Sequence, residues 1–353
     1  MDPLGTRRDF LKAGAGAAAW TAAAPLGAQE APFLVDCQSH LYPPELLDLM
    51  ETRARPPLVY RRGAERRVLV GGWHRKVLPG HSDVDAKVAA MDRAGIAQAA
   101  ISANDPGPER FGEDGLRVAR MQNDYLAEVS RSRPGRFFPL AMLPLQDMEA
   151  SLRELDRCAE RNGARGILLY SNLDGRFPDE PPFRPLFARA EAMGIPLLLH
   201  PAAPVTEAQT SGYEMVGGLG LMFDTTIALA RIILSGLLER HPRLKLVCPH
   251  VGGALPYLIG RIDHQTSVLG RGAENLRKPP SEYLRQVYLD AVSPLPLQIR
   301  YGIDFLGADR MLYASDHPWV DPGLVADNVR SLRLGAADER KVFRENAARL
   351  FGL

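Results

Sequence analysis

A chain of 353 residues that is 46% hydrophobic and 24% charged has enough apolar material for one large core or two modest ones. Its 43 basic and 42 acidic side chains nearly cancel, which removes any electrostatic reason to expect a nucleic acid or an anionic membrane surface as partner and leaves small molecules as the better expectation. Three scattered cysteines, Cys37, Cys158 and Cys248, are too few for a disulfide framework or a thiolate zinc site and read as buried apolar thiols.

The chain opens with TRRDFLK, Thr6 to Lys12, followed by an alanine-rich apolar run from Ala13 to Ala24. Paired arginines, Phe-Leu-Lys and small apolar residues in that order resemble a twin-arginine export signal, so residues 1–28 are expected to be removed and the remainder exported to the periplasm or the extracellular space. Cleavage near Ala28 takes away three basic and two acidic side chains and leaves the two signs balanced. No other segment is expected to approach the ~18 apolar residues that span a bilayer.

From residue 33 onward short apolar runs alternate with amphipathic helical stretches. FLVDCQSH, AQAAIS, RFFPLAML, ARGILLYS, IPLLLH, LKLVCPH, QVYLDAVS and RMLYASDHP make eight strand-like runs, each followed by a segment of helical period. Buried parallel strands read as continuous Val/Ile/Leu runs, and eight strand–helix units predict a single (β/α)8 TIM barrel over residues 29–353. Gly163, Gly194 and His241-Pro242 fall where helices should stop. The arginine-rich stretch at about 52–82 interrupts the pattern and reads as an insertion over the barrel mouth.

Polar residues collect at the ends of the strand runs. Gln38 and His40 end the first, His200 the fifth, His250 the sixth, and Asp316 with His317 the eighth. Barrel enzymes build their sites at the carboxyl ends of the strands, so these residues are expected to converge. His241, His264, His74 and His81 read as structural or solvated. Of these only His74, in GGWHRK, is placed to reach a substrate, with Arg75 or Lys76 beside it as a cation for a carboxylate. The loops after the strands add Arg110, Phe111, Tyr170, Asn172, Arg176 and Trp319, an aromatic and cationic rim suited to a planar acid.

VDCQSHLYP, NDYLAEVSRSRPGRFFPLAMLPLQD, IPLLLHPA, SGLLERHPRLKLVCPHVGGALPYLIGRID and MLYASDHPW together resemble the amidohydrolase-related branch of the metal-dependent hydrolase superfamily, the group that includes aminocarboxymuconate-semialdehyde decarboxylase and the dihydroxybenzoate decarboxylases. The resemblance runs through the whole chain after the leader. It implies one divalent ion, zinc or manganese, on His40, His200 and Asp316, and it makes His250 the acid/base histidine. Family members carry His-x-His or Glu-x-His where this chain has Gln38 and His40. Three readings of Gln38 stay open: a weak fourth ligand, a hydrogen-bond donor to substrate, or the mark of a site that has lost its metal.

The resemblance further implies an enzyme acting on a small aromatic or muconate-like acid. As a decarboxylase it would protonate the carbon bearing the carboxylate, with His250 or Asp316 managing the proton. As a hydrolase it would attack a lactone, ester or amide with the same residues. A metal-free exported binding protein on the same barrel is the third alternative, and the family's habit of dimerising makes a homodimer an expectation as well.

Overall fold

The computed structural model describes residues 33–353, so the proposed export signal lies outside the described residues. Within them, eight parallel strands stand in the order β1 (Leu34–His40), β5 (Ile96–Ser102), β6 (Phe137–Ala141), β7 (Gly166–Tyr170), β8 (Leu197–His200), β9 (Leu246–Cys248), β10 (Tyr288–Asp290) and β11 (Met311–Leu312). These are the eight apolar runs of the sequence, and every residue of β1, β6, β7 and β8 is buried, as expected of strands covered on both faces.

The last strand returns to the first. Tyr313 O accepts from Cys37 N at 3.1 Å, Gln38 O accepts from Asp316 N at 2.9 Å, and His317 O accepts from His40 N at 2.9 Å. This seam closes the (β/α)8 barrel, so the sheet has no free edge and the polar ends of β1 and of the segment after β11 lie side by side.

The covering helices start and stop where local chemistry dictates. α2 (Val84–Ala94) begins at Asp83, whose carboxylate accepts from Ala86 N, and ends at Gly95 in the left-handed region with φ 73°. α4 (Met148–Arg161) is capped the same way by Asp147 on Ala150 N, and α5 (Arg184–Met193) stops at the left-handed Gly194. Each such N-cap contributes about 1 kcal/mol. α1 (Pro44–Glu51) and α3 (Gly115–Ser132) flank the first strand pair, while α6 (Leu221–Leu234) lies beyond β8.

The segment Val216–Leu234 corrects one expectation. An 18-residue window of this 19-residue segment reaches a mean hydropathy of 1.5, enough by length and composition to cross a membrane. In the fold it is a barrel helix with half of that window buried. Its Asp224 is buried and accepts hydrogen bonds from Ser171, Asn172 and the backbone N–H of Val205. Apolar length alone therefore misleads where a helix is buried along one side.

Residues 58–76 form an antiparallel sheet, β2 (Leu58–Arg62), β3 (Glu65–Val70) and β4 (Trp73–Lys76). Its inward side chains Val59, Val68 and Val70 pack with Leu46, Leu47 and Met50 of α1 and with Phe111 and Ala203, forming a second apolar cluster separate from the barrel core. Gly72 N donates to Glu207 at 2.5 Å, tying the β3–β4 turn to the loop that follows β8.

Candidate metal centre and active site

His40, His200 and Asp316 each present one ligand atom, and the three atoms lie within 4.8 Å of one another. His40 Nε2 is 3.0 Å from Asp316 Oδ1 and 3.1 Å from His200 Nε2. His200 donates from Nδ1 to the carbonyl of Pro201 at 2.7 Å, which leaves its Nε2 lone pair facing inward. His40 Nδ1 has Ser102 Oγ at 3.2 Å and is held in the same way. Burial depresses the pKa of both imidazoles, so they stand neutral and able to ligate. Two neutral imidazoles and one carboxylate on a single face suit a divalent ion with open positions, zinc or manganese.

Asp316 is the hub of the centre. Burial alone would raise its pKa, but the His250 and His40 imidazoles beside it reverse that and hold the carboxyl well below the usual range. Its second oxygen, Oδ2, lies 3.7 Å from His250 Nε2. For His250, burial acts downward but is outweighed by the nearby Asp316 carboxylate and the charge of Asp290, so the ring favours its proton more than an ordinary histidine does.

Both residues sit in strained backbone: Asp316 has φ 56° and His250 has φ 54°, the left-handed region that L-residues other than glycine rarely adopt. Such strain, about 1–3 kcal/mol at each position, persists only where the surroundings impose it, and it clusters at functional sites. Here the restraint is visible. Asp290 Oδ1, at the carboxyl end of β10, accepts from the backbone N–H of His250 at 2.7 Å and from Val292 N at 3.1 Å.

Gln38 is 6% exposed and its side-chain amide donates to Asp316 Oδ1 at 2.9 Å. In this arrangement it orients the carboxylate, a role its neutral Nε2–H can play and the carboxylate of a Glu-x-His pattern cannot.

The other sequence candidates divide sharply. Tyr170, buried at the end of β7 and paired in register with His200, turns its ring edge-on to that imidazole at 5.8 Å. Trp319 stands T-shaped against His81 with ring centres 4.5 Å apart. His317 is held by Lys87, whose ammonium lies 2.8 Å from its Nδ1 and 2.8 Å from Ser39 Oγ. Arg110 pairs with Asp174 at 3.1 Å at the rim, beside a cleft of about 180 Å³ lined also by Pro56, Pro57, Val70 and Gly71.

Arg176 faces solvent and pairs with Glu180. His74 is likewise outside, against Tyr60 Oη at 3.0 Å. The reason is strand alternation: WHRK is a strand rather than a loop, so His74 and Lys76 point out while Trp73 and Arg75 point in. Arg75, not His74, is therefore the inward residue. Its guanidinium donates to Asn104 Oδ1 at 3.1 Å and to the carbonyl and carboxylate of Asp105 at 2.6 and 3.1 Å.

Sequence reasoning passed over four further polar groups. Asp290 carried a usable signal, since YLD ends a strand run as the other site segments do. Lys87 looked like an exposed helix residue and is fully buried. His81, read as part of the insertion, is also fully buried. Glu109, on the turn after β5, lies over Gly107 and the Tyr170 ring, and burial pushes its carboxyl up to about 8. Neither of its oxygens has a hydrogen-bond partner among the described residues.

Residues 35–353 match the family model described as Amidohydrolase. The chain belongs to the amidohydrolase family. It is 31% identical over 292 residues to the gamma-resorcylate decarboxylase of Rhizobium sp., covering 76% of this chain and 87% of that protein. It is 25% identical over 333 residues to 2-amino-3-carboxymuconate-6-semialdehyde decarboxylase of Dictyostelium discoideum, covering 90% and 91%. Among solved structures, 5-carboxyvanillate decarboxylase from Sphingomonas paucimobilis superposes with a TM-score of 0.80 at 26% identity, covering 92% of this chain and all of that one. This amidohydrolase is thus similar, through its whole barrel, to metal-dependent decarboxylases of aromatic and muconate-type acids, and it retains a His/His/Asp metal site.

Proposed function

We propose that the protein is a metal-dependent decarboxylase of a small aromatic acid bearing an oxygen next to the carboxylate, the chemistry named in its relatives. The observation that carries the reading is the pairing of His250 with Asp316. A histidine whose proton is stabilised lies 3.7 Å from a carboxylate that is itself one of three converging ligands.

A divalent ion on His40, His200 and Asp316 would supply a positive centre that anchors and neutralises the carboxylate and the neighbouring oxygen. The residues do the rest. His250, steadied by Asp290, holds a proton against Asp316 Oδ2 beside that centre. The proton passes to the ring carbon bearing the carboxylate; the bond from that carbon to the carboxylate then breaks, its electron pair restores the ring, and carbon dioxide leaves. One proton is consumed per turnover and the His250–Asp316 pair recovers it from solvent. Gln38 keeps the Asp316 carboxylate aimed. Tyr170 and Trp319 provide flat apolar walls for a planar substrate.

Elemental analysis of the purified protein, followed by carbon dioxide release from gamma-resorcylate, 5-carboxyvanillate and related hydroxybenzoates, tests the reading. About one equivalent of zinc or manganese with carbon dioxide release is expected. His250→Ala should keep the metal and lose at least about a thousandfold in kcat, a general acid's contribution together with its role at Asp316. Hydrolysis of lactones or esters without carbon dioxide release would overturn the decarboxylase assignment in favour of a hydrolase on the same residues. Export by the twin-arginine route belongs to the same proposal, supported by TRRDFLK and the apolar run that follows it. Periplasmic activity that disappears in the Arg7→Lys, Arg8→Lys double variant is the expected outcome.

A further inference from the structure

His81 ends a short turn, Pro79–His81, that joins the insertion sheet to α2. The backbone N–H of Leu78 donates to its Nδ1 at 3.0 Å. A nitrogen that accepts cannot carry the proton, so the neutral ring has its hydrogen on Nε2. That Nε2 is buried and has no hydrogen-bond partner among the described residues, while the ring as a whole is 0% exposed. A buried donor without a partner is destabilising, and native structures keep one for a reason.

Where the ring stands suggests the reason. Its walls are Trp319, three residues after the ligand Asp316, with ring centres 4.5 Å apart, and Tyr42, two residues after the ligand His40, at 5.2 Å. Tyr42 N also donates to the His81 carbonyl at 2.5 Å, fixing the turn against the end of β1. The preceding residue has to be glycine: a Cβ on Gly80 would come within 2.5 Å of His317 Cε1 and 2.9 Å of Pro318 Cβ. The turn is thus docked as closely as a backbone can come to the segment that presents Asp316. His40, Lys87, Arg75 and Asp316 are the titratable groups near enough to act on the His81 ring, which therefore stands close to the metal centre and to the insertion sheet.

We propose that His81 is a substrate-binding residue, a neutral donor whose Nε2–H is directed to an anionic oxygen, carboxylate or phenolate, of the bound acid. Protonation would set a second N–H against that of Leu78, and burial, first among the causes, pushes the ring down to about 2. The donor is therefore constant across the working pH range and takes no part in proton transfer. The inference rests on the aromatic-acid reading for its probes only; the tautomer and its orphaned donor are independent of it.

Two variants separate binding from packing. His81→Phe keeps the aromatic contact with Trp319 and removes both the N–H and the acceptor of the Leu78 bond, whereas His81→Gln restores a donor and an acceptor on a side chain of similar reach. With gamma-resorcylate and the metal-loaded enzyme, KM in His81→Phe is expected to rise about tenfold or more, as for loss of one hydrogen bond to a charged group. Metal content and the pH profile of kcat should stay as in wild type, and His81→Gln should recover most of the loss. The ¹⁵N spectrum of labelled histidine should show His81 as the Nε2–H tautomer from pH 6 to 9. An unchanged KM in His81→Phe, or an Nδ1–H tautomer, overturns the proposal. If wild type releases no carbon dioxide from any acid tested, the decarboxylase reading fails alone, and binding of 2-nitroresorcinol decides the role of His81. Weaker binding by His81→Phe then supports it, and equal binding refutes it.

Discussion

The barrel seam and the insertion sheet both contribute to the mouth of this molecule, and they do so by opposite logic. At the seam, β1 and the segment after β11 run in parallel and end together, so His40 and Asp316 meet because strand ends in a barrel must meet. In the insertion sheet, function depends on which face of a strand a residue occupies, and neighbours in sequence part company: Arg75 is buried against Asn104 and Asp105 while His74 points to solvent. Position along the strand matters in the first region, parity in the second.

The sharpest way to break this contrast is at the seam. Asp316→Asn removes the carboxylate that faces His40, His200, His250 and Gln38 at once, and is expected to lose both the metal and at least about ten-thousandfold in turnover, as when a ligand and a proton-transfer partner go together. Full metal occupancy by elemental analysis, with turnover near wild type, would remove Asp316 from its place at the centre. Gln38→His asks how the seam uses its neutral amide. Metal affinity should rise by about tenfold or more as an imidazole replaces the amide beside the other ligands, and isothermal titration with zinc reads it directly.

In the insertion, the corresponding break is Arg75→Met. Arg75 and Asp105 are 5% and 1% exposed in their side chains and lie 3.1 Å apart. Removing one partner of a buried pair strands the other charge, so a loss of about 3–5 kcal/mol in folding stability is expected by denaturant unfolding. A loss under about 1 kcal/mol would mean that the insertion is not anchored through this pair.

This asymmetry also explains what could be read from the sequence. The eight apolar runs fixed strand number, and His40, His200, His250 and Asp316 were visible because each ends a run; Asp290 obeys the same rule and could have been found by it. The barrel-end rule says nothing about parity within a strand that is mistaken for a loop, which is why WHRK offered His74, Arg75 and Lys76 together with nothing to separate the inward residue from the outward ones. Burial of a polar residue in a helix is equally silent: Lys87 in DVDAKVAAMDRA reads as a solvated lysine until Ser39 and His317 are seen beneath it. His81 was hidden for a third reason, since only the Leu78 hydrogen bond reveals its tautomer.

Glu109 sharpens the comparison through pH. It belongs to the loop after β5, where Phe111 of the same turn joins the apolar cluster under the insertion sheet. Burial raises its carboxyl from the ordinary 4.5 to about 8. The folded protein therefore holds a proton that the unfolded chain has released at intermediate pH. The stability associated with this group is fully present below about pH 4.5 and declines as pH rises toward 8, by at most about 1.4 kcal/mol per unit. Glu109→Gln abolishes that slope. The variant should match wild type near pH 5 and exceed it in denaturant midpoint at pH 8.5, and parallel profiles for the two proteins would show that the carboxyl is already satisfied in the fold.

The smallest expected effect is the most pointed. His74 and Arg75 are adjacent, both were candidates for the substrate on sequence grounds, and only strand parity distinguishes them. His74 touches Tyr60 on the exposed face and nothing of the centre. His74→Ala should therefore change folding stability by under about 0.5 kcal/mol and leave kcat and KM within about twofold of wild type, the ordinary behaviour of a surface substitution. A large rise in KM for this variant, next to a mild phenotype for Arg75→Met, would mean that β4 is offset by one residue in the working enzyme. The slip would then turn Trp73 and Arg75 outward and present His74 and Lys76 to the substrate.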